Sequence, residues 1–148
     1  MTFRHATASS IYCLFLAVGL AIANAAAKTP NIVLIVSDDH GTDALGCYGN
    51  PVVKTPALDS LAADGTLFTD ANCTTASCSP SRSVILSGLH NHSNGMYGLQ
   101  HTFHHYQSFD DVESLPVTLS KNGYRTARIG KFHVAPEAVY QFDTVLST

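Results

Sequence analysis

After Asn31 the chain runs Ile32-Val33-Leu34-Ile35-Val36, five apolar residues without a polar position between them. Such a run predicts a strand covered on both faces, as in the middle of a parallel sheet. It gives way to Ser37-Asp38-Asp39-His40-Gly41. Thr55-Pro56 then opens a helix over Ala57 to Ala63, with Leu58 and Leu61 on one face and Gly65 as its stop. Thr66 to Asn72 reads as a second strand. It feeds Cys78-Ser79-Pro80-Ser81-Arg82, which leads into Val84-Ile85-Leu86 and Gly88. Proline within a first turn and glycine just past an end predict a short helix here. Leu89 to His105 reads as a loop. Ser114 is placed as the N-cap of a further helix carrying Leu115 and Leu119 and stopped by Gly123. Tyr124 to Ile129 then predicts a strand delivering Gly130-Lys131-Phe132-His133, whose alternation would put Lys131 and His133 on one face. Strands alternating with helices predict an α/β fold with a mainly parallel central sheet flanked by helices.

Composition narrows the picture. With 148 residues, 45% hydrophobic and 13% charged, the chain can build one modest core and is too apolar for a disordered segment. The formal net charge of -3 excludes nucleic acid as a partner, since phosphate binding needs a basic surface. Positive charge is concentrated at Arg82, Arg125, Arg128 and Lys131, apart from the histidines. Met1 to about Ala27 has the form of an export leader: Arg4 and His5 in front, an apolar stretch from Ile11 to Ala23, then Ala23-Asn24-Ala25 as a cleavage candidate. A retained anchor is the competing reading, but the apolar stretch is short for a bilayer, so no stable membrane span is expected after cleavage. The remaining domain, 28–148, is then exported, to a periplasm, the medium or a lysosome-like compartment. Cys47, Cys73 and Cys78 stay in it, and a Cys47–Cys73 bridge and free thiols are both open.

Two places carry chemistry. Cys78 stands at a predicted helix start, where free N–H groups and the positive dipole end favour an anion, and Arg82 roughly one turn on adds a planar donor. Asp38 and Asp39 are adjacent carboxylates that repel unless a cation lies with them; a hard ion held by oxygen, calcium or magnesium, is expected. His90, His92, His101, His104 and His105 crowd the loop before the third helix. Their spacing makes no pair of zinc-binding doublets, so they are read as a substrate-facing loop or as surface histidines.

The Cys-x-Pro-Ser-Arg pattern at Cys78 to Arg82 resembles the signature of type I sulfatases, in which this cysteine is oxidised to formylglycine. Gly123-Tyr124, Thr126, Gly130-Lys131 and His133 are similar to a second sulfatase signature. The resemblance implies an alkaline-phosphatase-like fold. It implies Asp38, Asp39 and the modified Cys78 as ligands of a calcium or magnesium ion, and Arg82, Lys131 and His133 as groups acting on the sulfate and the formylglycine. Asn94-Gly95-Met96-Tyr97-Gly98-Leu99, Ser108-Phe109-Asp110 and Val139-Tyr140 carry a further likeness to the sulfamidase branch, which acts on the N-sulfate of glucosamine. A sulfated saccharide as substrate and a formylglycine-generating or sulfatase-maturating enzyme as partner follow from the family. The later Asp-Asn ligands and sulfate-binding Lys or His groups of sulfatases are not found by Thr148, so residues 28–148 are expected to be the N-terminal portion of the catalytic domain and inactive alone. A phosphodiesterase or phosphonate hydrolase of the same superfamily, and a non-catalytic sulfated-glycan binding fragment, are the alternatives.

Overall fold

A computed structural model describes residues 29–146 except Thr102 and His104. The expected export leader at 1–27, and its cleavage point, lie outside the described residues. The chain divides into two units, one ending at Ser37 and one beginning at Asp38.

In the first unit, the predicted strand over 31–36 does not form. The segment carries no regular element and its side chains are exposed, Val33 at 81%. A central strand owes its stability to neighbours that complete its backbone ladder and cover both faces. Among the described residues the sheet has only two strands, and they pair with each other.

The second unit opens with two 3-10 turns, Thr42–Ala44 and Gly46–Tyr48. Asn50 folds the following chain back: its Oδ1 accepts from the N–H groups of Val52 and Val53, and its Nδ2 donates to the Asp43 carbonyl. Helix α1, Pro56–Asp64, starts on proline and ends where the Gly65 N–H reaches the Leu61 carbonyl. The Thr55 hydroxyl accepts from the Gly46 N–H and donates to Asp59, so it joins the second turn to α1. The strand predicted over Thr66–Asn72 is irregular and exposed. It lacks a neighbour for the same reason as the first run.

Helix α2, Cys78–Ser87, ends at Gly88, whose φ of +68° makes the left-handed stop that glycine adopts most easily. Its fully buried face is Ser79, Pro80 and Ser83, while Ile85 is 42% exposed. Serine can be buried because its hydroxyl is satisfied locally: Ser83 donates to the Pro80 carbonyl and Ser87 to the Ser83 carbonyl. The one-turn helix α3, Asn91–Asn94, packs against this seam through amides. Asn91 donates to the carbonyls of Pro80 and Met96. Asn94 donates to Ser83, Ser87 and the Leu89 carbonyl and accepts from the Met96 N–H.

Met96, Val112, Val134, Val139 and Tyr140 form the apolar core, with Leu86 and Phe132 packed on it. The Tyr140 hydroxyl is paired with Ser108 at 2.5 Å. Helix α4, Leu115–Lys121, begins as expected after Ser114, but the Ser114 hydroxyl does not cap it. It donates to the Val139 carbonyl at 2.6 Å and so pins the helix to the 3-10 turn Glu137–Val139. The strand expected over Tyr124–Ile129 shrinks to β1, Ala127–Ile129, parallel to β2, Thr144–Leu146. Asp143 accepts from the N–H and hydroxyl of Thr126 and sets this register. Helices and a short parallel sheet make the unit α/β.

Asn94 is wholly buried and has four partners, so truncating it leaves several polar groups unpaired. Asn94→Ala should lower the unfolding free energy by about 1–3 kcal/mol in urea titration.

Candidate active site

Cys78 is the first residue of α2, after an extended Ser77. The N–H groups of a first turn have no partner within the helix, so Cys78 stands beside open donors. Its thiol is free and half-buried. Lys131 Nζ approaches the Cys78 sulfur at 3.5 Å.

One turn into α2, Arg82 donates from one amino group to the Lys131 carbonyl at 2.7 Å and from the other to Asp38 Oδ1 at 3.3 Å. The second oxygen of Asp38 accepts from Lys131 Nζ at 2.6 Å. Both oxygens of Asp38 therefore face cations. The Lys131 ammonium holds the Asp38 carboxyl below its usual range, helped by Arg82. In return, Asp38 holds Lys131 above its usual range against the opposing effect of burial, and Cys78 adds to the rise. The Arg82 side chain is 11% exposed and those of Asp38 and Lys131 41%, so the guanidinium is the sheltered member.

Strand alternation is not what brings Lys131 and His133 here. β1 ends at Ile129, and Gly130 and His133 both have positive φ, +82° and +58°. The chain turns after β1, sending Lys131 to Asp38 and Cys78 and bringing the His133 ring edge to edge with His101, nearly parallel and with centroids 4.5 Å apart. His133 Nε2 meets His101 Nδ1, and His133 Nδ1 is buried with no partner. Burial, then His101, Lys131 and Arg82, lower the pKa of His133 below 6.5, with Asp38 opposing. Asp39 is exposed and also has a positive φ, +50°, a backbone state that aspartate tolerates better than most residues.

The other charged candidates serve elsewhere. Arg128 pairs with Glu137 at 2.8 Å and lies over the Phe132 ring. Arg125 acts on Asp143. The histidine-rich loop does not gather: His90 stacks on His92, and His101 alone of the described ones joins His133. Cys47 and Cys73 are free thiols. Among the described residues no three His, Cys, Asp or Glu side chains form a metal-holding group. Asp38 and Asp39 suit a hard cation in donor chemistry and supply two of the about six to eight oxygens that calcium takes. His101 is the site residue that sequence pattern did not single out. It was one of five histidines in a loop, and nothing in their spacing marked it.

A sulfatase family model matches residues 30–147. The chain is 50% identical over 117 residues to the human (Homo sapiens) N-sulphoglucosamine sulphohydrolase, covering 79% of this chain and 23% of that protein. It is 41% identical over 120 residues to an ulvan-active sulfatase of Formosa agariphila, covering 81% and 23%. With human arylsulfatase A the identity is 42% over 131 residues, covering 86% and 25%. The chain thus spans about a quarter of the length of these curated relatives.

Because the folded state holds His133 below 6.5, the unfolded chain takes up the proton first on acidification. The contribution of a neutral His133 to stability is complete above 6.5 and is lost as pH falls through the lowered folded value. Thermal unfolding followed from pH 7.5 to 5 should therefore fall less steeply in His133→Asn than in the unaltered protein.

Proposed function

Since the chain belongs to the sulfatase family, with its alkaline-phosphatase-like fold, we propose that the full natural protein hydrolyses sulfate esters or N-sulfate groups of sulfated sugars, with N-sulfated glucosamine as the preferred substrate. The observation that carries this is the approach of Lys131 to Cys78 at the start of a helix, with Arg82 one turn on and both cations sharing the Asp38 carboxylate. That arrangement leaves more positive than negative charge beside the sulfur, where a sulfuryl group would sit. The 50% identity to an N-sulphoglucosamine sulphohydrolase supports the choice of sugar.

Cys78 fits the modified residue of the family: its thiol is free, partly accessible and placed at the N-terminus of α2. Oxidised to formylglycine by a formylglycine-generating or sulfatase-maturating enzyme and hydrated by one water, it would supply two hydroxyls on one carbon, one to attack sulfur and one whose deprotonation would re-form the aldehyde and expel sulfate. Asp38 and Asp39 would hold a calcium or magnesium ion, whose charge would draw on a sulfate oxygen. The remaining work falls to this chain's own side chains. Arg82 orients the anion and fixes the backbone at Lys131. Lys131 neutralises charge growing on the sulfuryl oxygens. His133, kept neutral by burial and cationic neighbours, holds the proton given up when sulfate leaves. The protein acts after export from the cytoplasm.

Co-expressed with a formylglycine-generating enzyme, the full natural protein should release inorganic sulfate from N-sulfoglucosamine. Cys78→Ala should abolish release, and the peptide containing Cys78 should show the mass of an aldehyde in place of a thiol. Lys131→Ala should lower kcat/KM by about a hundredfold or more, the scale of losing one charge-stabilising donor. Preference for 6-O-sulfated glucosamine would move the substrate within the family. Faster turnover of matched phosphate esters would overturn the sulfatase assignment.

A further inference from the structure

The His101 ring is not used in the function proposed above, yet it lies nearly parallel to His133, with an interplanar angle of 19°, and meets it edge to edge, its Nδ1 against His133 Nε2. Two ring nitrogens in hydrogen-bonding contact need one proton between them, because facing lone pairs repel and facing N–H groups collide. One ring must donate. The other nitrogen of His133 decides which. His133 Nδ1 is buried without a partner. As an N–H it would be an orphaned buried donor, which folded proteins almost never keep; as a bare acceptor it is more readily tolerated.

We propose that His101 is a positioning residue that accepts the Nε2 proton of His133, fixing His133 as the Nε2–H tautomer with an open lone pair on Nδ1. The loop is held for this purpose at both sides. The Gln100 N–H donates to the hydroxyl of Ser79, a wholly buried residue adjoining Cys78, and the Tyr106 N–H returns to the Leu99 carbonyl. His101 is thereby registered against the same turn of α2 that carries Cys78.

The groups bearing on His133 are His101, Lys131, Arg82 and Asp38, of which one is acidic. Any proton that His133 takes up must go to Nδ1, since Nε2 keeps its own and stays bonded to His101. His133 then carries a single positive charge, which neutral His101 stabilises as a hydrogen-bond acceptor. The cationic neighbours oppose a second proton on the pair. The use of this proton in catalysis rests on the proposed sulfatase function; the tautomer does not.

The test is nitrogen NMR of histidine-labelled full natural protein, read above the pH at which His133 titrates. The unaltered protein should show His133 protonated at Nε2 and bare at Nδ1. His101→Asn, whose Oδ1 occupies the place of Nδ1 and can accept the same proton, should keep that tautomer, and His101→Ala should give a mixture. His133 protonated at Nδ1 in the unaltered protein overturns the proposal, and so does an unchanged tautomer in His101→Ala. The unaltered spectrum decides even if the alanine variant fails to fold. In sulfate release, His101→Ala should lower kcat by about 10- to 100-fold with a smaller change in KM, the scale seen when the orienting partner of a functional histidine is lost. His101→Asn should recover most of it. The expected tautomers without sulfate release from any variant would defeat the proposed function and leave the pair standing; sulfate release with the wrong tautomer would do the reverse.

Discussion

The Arg82 guanidinium reaches segments 44 and 49 residues away in sequence and bonds to both at once. A planar fork of donors serves a carboxylate and a backbone carbonyl from fixed directions; a lysine here would offer a point charge without that fixed geometry. With 11% of its side chain exposed, Arg82 has given up most of its water, so its two partners are needed to balance that loss. Asp38 is in turn divided between Arg82 and Lys131. Two positive charges and one negative therefore stand together in a chain whose formal net charge is -3. The local sign is opposite to that of the whole, and it is set by three side chains from distant parts of the sequence.

That centre depends on a rigid α2, and the rigidity has an unusual source. The buried face of the helix is made of serines and a proline, and the amides of Asn91 and Asn94 lock into it. Small side chains let α3 come close, and their hydroxyls are already satisfied by carbonyls of the preceding turn. Such a seam tolerates little movement, because sliding one helix would break several polar bonds together. The first turn of α2, with Cys78, inherits this fixity.

Helices were easy to read from the sequence because their signals are local. Pro56, Gly65 and Gly88 mark ends that the structure reproduces within a residue or so. The strands were harder. The runs at 31–36 and 66–72 have the composition of strands but acquire no ladder among the described residues, and β-propensity expresses itself only through neighbours. Ser114 shows a finer failure. It occupies the cap position, yet the Val139 carbonyl wins its hydroxyl. At the site, Cys78, Arg82, Lys131 and Asp38 were legible by family resemblance and are brought into contact. Their geometry was not legible, since a turn with positive φ at Gly130 and His133 replaces the expected alternation. His101 could not be found, because its contact with His133 depends on a loop anchored through Ser79.

The burial of Ser79 and Pro80 has a consequence for the order of events in the life of the chain. Both residues have no exposed surface once α2 is docked, and the arginine that follows them is nearly enclosed. Any enzyme that recognises Cys78 by its sequence neighbours must therefore do so before α2 packs against α3. Folding thus withdraws Ser79 and Pro80 from a recognising partner while the Cys78 thiol stays partly accessible. If Cys78 is converted as proposed, the time between synthesis and docking would set how many molecules are converted, and a variant that folded faster would carry less of the modified residue while being the more stable protein.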